Sequence, residues 1–269
     1  MMQPTQPFAL TIAGLDPSGG AGIIADVRTF VHFGVRPAAA ITSLTFQNSE
    51  RVFGATHESA DSLRAQILPV VEEGLIAAVK IGMLPTAELV VEIARLLTET
   101  DLPAPVVDPI LKSTSGYALM EKEAVAALVT ELMPLARLLT PNIPEAETLT
   151  GLQISDEADM RNAAAMIRAM GAQAVLIKGG HLNPESERYA IDLLDSEGEV
   201  KVLTGEWIES PPVRGTGCIL SSAVAACLAR GMSLEESVVA GKAFVAETIR
   251  DDAGLTQRVA SDSGNPAGR

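Results

Sequence analysis

Cysteine is scarce in this chain: Cys218 and Cys227 are the only two in 269 residues. Both fall in one apolar, alanine-rich stretch. As a helix, that stretch would separate them by about 13 Å, too far for a disulfide. Nor do they show the clustered spacing of a zinc site. Aromatic residues are only 3% of the chain, so the core must be built from Ala, Val, Leu and Ile. Bases are outnumbered, 20 Lys and Arg against 34 Asp and Glu, for a net charge of -14. Such a chain repels nucleic acid and anionic membranes, so neither is an expected partner. No apolar run reaches membrane-spanning length, and Met1-Met2-Gln3-Pro4 lacks a charged-then-apolar signal pattern. Together with reduced thiols, this gives a cytoplasmic location as the expectation. The G-x-x-x-x-G-K-[ST] and G-x-S-x-G signatures are also missing, which excludes a P-loop and a hydrolase elbow.

What is present is alternation. Short apolar runs at Phe8–Ala13, Ala38–Leu44, Ala77–Ile81, Ala104–Val107, Ala136–Thr140 and Ala174–Ile177 read as strands. Between them fall amphipathic stretches such as Ala60–Glu73, Thr86–Thr98, Glu121–Leu132 and Asp156–Met170, which read as helices. Unbroken apolar strands alternating with helices predict a mostly parallel sheet covered on both faces. Tyr189–Leu194 and Glu199–Leu203, around Asp195-Ser196-Glu197-Gly198, read as a hairpin and hence a small antiparallel edge. Two helices follow, Cys218–Ala229 and Leu234–Arg250. No composition break divides the chain. Residues 1–252 are expected to form one domain and residues 253–269 a polar, disordered tail.

In parallel sheets ligands bind at the carboxyl ends of the strands. The polar and glycine-rich residues gather at those ends: Asp16, Gln47, Lys80-Ile81-Gly82-Met83, Asp108, Asn142, Lys178 and Gly215-Thr216-Gly217-Cys218. The last group runs straight into an apolar helix. Its amides and the positive helix end suit an anion. Cys218 there is either a small core hydrophobe or a thiol whose pKa the helix end lowers. Lys178, ending an apolar strand, suits a transferring phosphate. Asp108 and Glu145 suit a divalent metal, although Glu145 also fits plain helix-start complementation. Asp26, one turn into the first helix, reads as a solvated acid facing the dipole. His181 reads as a solvated loop residue. Gly20-Ala21-Gly22-Ile23-Ile24-Ala25 fits a dinucleotide pattern, but Ala38–Thr42 holds no acid for the ribose, which argues against nicotinamide binding.

Taken together, the motifs carry a family resemblance. They are Ala13-Gly14-Leu15-Asp16-Pro17-Ser18-Gly19-Gly20-Ala21-Gly22 with Ala25-Asp26, then Phe46-Gln47-Asn48 and Lys80-Ile81-Gly82-Met83. Asp108-Pro109-Ile110, Thr140-Pro141-Asn142-Ile143-Pro144-Glu145-Ala146, Lys178-Gly179-Gly180-His181 and Gly215-Thr216-Gly217-Cys218 complete the set. Over residues 8–250 the chain resembles the hydroxymethylpyrimidine/phosphomethylpyrimidine kinases of thiamin biosynthesis, in the ribokinase-like superfamily. The resemblance implies a three-layer α/β kinase, dependent on ATP and Mg²⁺ and forming a homodimer. It would act on a pyrimidine hydroxymethyl group, on its monophosphate, or on both.

By position, Gly14, Ala21, Asp26, Thr45, Gln47, Met83 and Ile110 would form the pyrimidine pocket. Asn142, Glu145, Lys178 and Thr216 would hold the nucleotide, and Asp108 and Glu145 the metal. Gly215, Thr216, Gly217, Cys218 and Lys178 would be catalytic, with Cys218 either the base or a substrate-positioning group. The chain departs from the family pattern at Leu15 (usually threonine), Phe46 (a larger residue than expected), Leu111 (usually methionine) and Arg214 (usually histidine). It also lacks the family's glycine- and histidine-containing C-terminal motif. Arg214 reads as a solvated loop arginine in preference to a phosphate contact. Pyridoxal kinase on the same fold, and an idle pyrimidine-binding regulator, are the competing readings.

Overall fold

β1 (Phe8–Leu15) is apolar and buried along almost its whole length, so it must lie inside a sheet covered on both faces. In the computed structural model it does. The structure describes residues 6–180, 189–206, 208 and 213–263. β2 (Arg36–Gln47) pairs with one edge of β1 and β4 (Ile76–Ile81) with the other, both in parallel. β5 (Val106–Val107), β6 (Leu138–Leu139) and β7 (Ala174–Lys178) extend the parallel sheet outward from β4. Chain order therefore reverses direction at β1, which opens a crevice between the carboxyl ends of β1 and β4.

Antiparallel strands close both ends of this sheet. The expected hairpin is β8 (Tyr189–Ser196) and β9 (Glu199–Glu206), with β8 pairing onto β7. The other edge is β3 (Val52–His57), antiparallel to β2, which the sequence pattern does not disclose. Its residues Val52-Phe53-Gly54-Ala55-Thr56-His57 alternate weakly, and Phe53 is exposed. β2 is also longer than its apolar run suggests: it continues through exposed Leu44 and Phe46 to Gln47.

The helices form the two outer layers. On one face, α2 (Ala60–Val71), α3 (Ala87–Glu99), α4 (Lys122–Ala127), α5 (Ile143–Thr150) and α6 (Glu157–Ala169) surround a core that includes Leu63, Ile67, Leu89, Ile93, Leu128 and Ile167. On the other, α1 (Gly22–His32), α7 (Thr216–Ala229) and α8 (Leu234–Ser263) pack through Phe30, Val224, Ala225 and Val238. The starts of α2, α3 and α6 are fixed by Ser59, Thr86 and Asp156, whose side chains accept backbone N–H bonds. α7 is buried almost all round, as its alanine-rich sequence requires. α8 is longer than the expected Leu234–Arg250: it runs on to Ser263. His181 lies outside the described residues.

Candidate active site

α7 begins at Gly215, which caps it in a left-handed conformation, φ 75° and ψ 7°, with no side-chain cap. The amides of the first turn therefore have no partner within the helix. Glycine is needed at 215 twice over. A Cβ there would strain the positive φ, and it would fall 2.1 Å from the Gly20 carbonyl oxygen. The loop after β1 and the loop before α7 thus touch backbone to backbone. Ala21, next to this contact, donates its N–H to Asp16 Oδ2 at 3.0 Å.

Gly217 locates the next group of residues. A Cβ on it would sit 3.1 Å from Lys178 Nζ and 3.5 Å from Asp108 Oδ2. The two side chains pair directly, Lys178 Nζ to Asp108 Oδ1 at 2.8 Å, and Thr140 Oγ1 donates to the same oxygen at 3.1 Å. Burial alone would depress the Lys178 ammonium, but Asp108 and Glu145 outweigh it and hold its pKa above the ordinary value. An ammonium, amide donors and a cradle that a methyl group would fill converge here from three strand ends and one helix.

Asn142 and Glu145 open α5 as a reciprocal capping box. Asn142 Oδ1 accepts the Glu145 N–H at 2.9 Å, and Glu145 Oε2 accepts the Asn142 N–H at 2.8 Å. The plain structural role is therefore real, and it leaves Glu145 buried near Lys178 and Asp108. Burial first, with the Asp108 charge adding and Lys178 opposing, pushes its carboxyl from 4.5 to about 7. The folded protein thus holds that proton more tightly than the unfolded chain. The stability this contributes is complete below about pH 4.5 and lost as pH rises through about 7. In nucleotide- and metal-free protein, wild type should lose stability relative to Glu145→Gln across that window. Urea midpoints between pH 4 and 8 measure it, and a constant difference between the two proteins would refute the shift.

Two carboxylates at this point fit Mg²⁺. Among the described residues no group of three or more His, Cys, Asp or Glu side chains converges, so the protein alone builds no cage. Mg²⁺ characteristically takes one or two carboxylates and completes its shell with water and substrate phosphates. The repulsion between Asp108 and Glu145 is what a cation would relieve.

Cys218 is buried, which favours the small core hydrophobe of the two readings its position allowed. Burial pushes its thiol from 9.0 to about 11, which outweighs the help of the Lys80 charge and the Gly22 N–H. Cys227 is shifted the same way by its burial. Iodoacetamide should therefore label neither thiol of the native protein at pH 8 at more than a small fraction of the rate of a free thiol. Rapid labelling of Cys218, read by peptide mass analysis, would contradict this.

Asp26 is not a solvated acid. It is fully buried, and its carboxylate accepts from Thr11 Oγ1 at 2.6 Å, Lys80 Nζ at 2.8 Å and Ser222 Oγ at 2.7 Å. It ties α1 to β1, β4 and α7 beneath the crevice. Burial would depress the equally buried Lys80, but Asp26 holds its pKa above the ordinary range. The Thr45 hydroxyl is also committed, to the Leu15 carbonyl at 2.8 Å. Of the remaining pocket residues, Gly14 and Met83 meet, and Ile110 lies beside Gly82. A Cβ on Gly14 would meet Met83 Sδ at 2.9 Å, and one on Gly82 would lie 3.7 Å from Ile110 Cδ1.

Arg214 is not a solvated loop residue. Its Nη2 donates to Gln47 Oε1 at 3.0 Å, its Nη1 donates to the Asn48 carbonyl, and Nη2 lies 3.7 Å from Asp16 Oδ2. It also borders a cleft of about 270 Å³ shared with Arg51, Ser113 and Ser115. Lys80 is the site-supporting residue to which sequence reasoning gave no role. The available signal was an ammonium inside the apolar strand Ile76–Ile81, which demands a buried acid partner.

A three-layer sheet in this order, with a glycine turn opposing a lysine–carboxylate pair, defines a ribokinase-like kinase. A phosphomethylpyrimidine kinase family model matches residues 16–261. The chain is 43% identical over 245 residues to a hydroxymethylpyrimidine/phosphomethylpyrimidine kinase of Streptomyces coelicolor, covering 91% of this chain and 89% of that one. The crystal structure of a Clostridium difficile phosphomethylpyrimidine kinase superposes with a TM-score of 0.79 at 40% identity, covering 90% and 99% of the two chains. A Staphylococcus aureus pyridoxal kinase in complex with pyridoxal superposes at 0.83 with 31% identity, covering 92% and 89%. The chain belongs to the phosphomethylpyrimidine kinase family. Among its described residues no helix is long and apolar enough to cross a membrane.

Proposed function

We propose that this protein uses ATP and Mg²⁺ to phosphorylate the hydroxymethyl group of 4-amino-5-hydroxymethyl-2-methylpyrimidine, its monophosphate, or both. The observation that carries this reading is the convergence of Gly217, Lys178 and Asp108 at the carboxyl ends of the parallel strands. Phosphoryl transfer depends mainly on positioning and on stabilising charge over the phosphoryl oxygens. The first-turn amides Thr216 to Cys218 and the Lys178 ammonium supply that charge stabilisation. Asn142, Glu145 and Thr216 border the nucleotide. Asp108 and Glu145 would hold Mg²⁺, which when bound neutralises phosphate charge. Gly14, Ala21, Met83 and Ile110 wall the ring, and Gln47 reads its polar edge. A neutral thiol suits the positioning role for Cys218 better than the base role. Asp26 and Thr45 support the pocket from behind. Structures of the Staphylococcus aureus pyridoxal kinase in complex with ADP and with AMP-PCP support the nucleotide assignment.

The test compares ADP formation with the aminopyrimidine alcohol, its monophosphate and pyridoxal under identical conditions. Turnover of either pyrimidine is expected to exceed that of pyridoxal. Faster turnover of pyridoxal would transfer the assignment to that activity. Binding of a pyrimidine without any ADP formation would favour an idle binding protein.

A further inference from the structure

We infer that Arg214 is a specificity-determining positioning residue: by pinning the Gln47 carboxamide in one orientation, it restricts the pocket to a ring edge that pairs an acceptor nitrogen with an amino group. This rests on the pyrimidine reading above. A guanidinium has donors and no acceptor, so the Gln47 atom 3.0 Å from Arg214 Nη2 has to be the carbonyl oxygen. The orientation is therefore fixed by chemistry, where a lone glutamine amide would turn either way. Arg214 is itself held on three sides, by Gln47, by the Asn48 carbonyl and by the buried Asp16 carboxylate 3.7 Å away. Asp16 is in turn fixed by Ser18 and by the Ala21 N–H. Among the described residues nothing accepts from Gln47 Nε2.

The pinned amide offers N–H donors from Nε2 and keeps one lone pair on Oε1. That pattern complements a 4-aminopyrimidine, whose ring nitrogen accepts and whose amino group donates. A 4-oxo ring presents the reverse, a ring N–H donor beside a carbonyl acceptor. An unpinned glutamine would flip to match it. With Arg214 in place the flip costs a charge-assisted hydrogen bond, and without the flip polar groups face each other unpaired.

The experiment measures calorimetric affinities of the wild-type protein, Arg214→Met and Gln47→Glu for 4-amino-5-hydroxymethyl-2-methylpyrimidine and its 4-oxo counterpart. Wild type should prefer the amino ring by about tenfold or more. Arg214→Met, which keeps length but has no donor, should shrink that ratio to within about threefold. A purely structural role would weaken both rings alike and leave the ratio intact, which overturns the inference. So would a wild type that binds both rings equally. Gln47→Glu keeps the Arg214 partner but cannot donate, so it should lose the preference for the amino ring, whether or not the arginine variant folds. A Gln47→Glu protein with the wild-type ratio also overturns the inference. If wild type binds neither ring, the pyrimidine reading itself fails and the inference with it. An amino-ring preference that survives in Arg214→Met removes the inference alone.

Discussion

Asp26→Ala is expected to cost about 3–5 kcal/mol of folding stability, the range for stripping one partner from a buried ion pair. Lys80 has no exposed surface, and Asp26 is its carboxylate partner at 2.8 Å. Removing the acid leaves an ammonium in an apolar strand and takes the acceptor from Thr11 and Ser222. A domain of this kind is stable by only about 5–15 kcal/mol, so the loss is a large part of the whole. Urea denaturation measures it. The double variant Asp26→Ala/Lys80→Met should recover part of the loss, because both charges then leave together. A single-variant cost below about 1 kcal/mol would mean the pair does not organise the floor of the crevice.

The second large effect falls on activity. Gly215→Ala should lower kcat by about 10²–10³-fold, the loss seen when an oxyanion-type donor is displaced. The added methyl would meet the Gly20 carbonyl at 2.1 Å, so the turn must move and take the first-turn amides of α7 with it. Local strain of about 1–3 kcal/mol should accompany the change. Gly34→Ala separates the two effects. Gly34 also has a positive φ, 70°, but a Cβ there meets nothing within 4 Å. Its variant should pay the backbone strain and keep its turnover. Unchanged turnover in Gly215→Ala would remove the anion-binding role from this turn.

Much of the architecture was legible because buried parallel strands are continuous apolar runs, and β1, β4 and β7 read as such without ambiguity. The strand-end residues were legible for a related reason. Lys178 and Asp108 interrupt apolar sequence where a covered sheet ends and a crevice can begin. β3 was not legible, since an edge strand with one wet face need not be apolar and its pairing with β2 is set by the turn between them. Nor was the far end of α8, where composition suggested a tail.

The chain order of the parallel strands and the helices between them, the glycine turns and the chemical inventory of the crevice follow from the sequence alone. Each is set by neighbours a few residues apart, through burial period, capping and backbone freedom. What each polar group does was decided by the tertiary structure. Asp26 and Lys80 are 54 residues apart and Arg214 and Gln47 are 167 apart. Only the folded chain determines whether such groups meet each other or water. The same holds for Cys218, whose thiol is pushed up by the depth at which it is buried. Desolvation and long-range pairing depend on where the whole chain lies, and no local pattern encodes them.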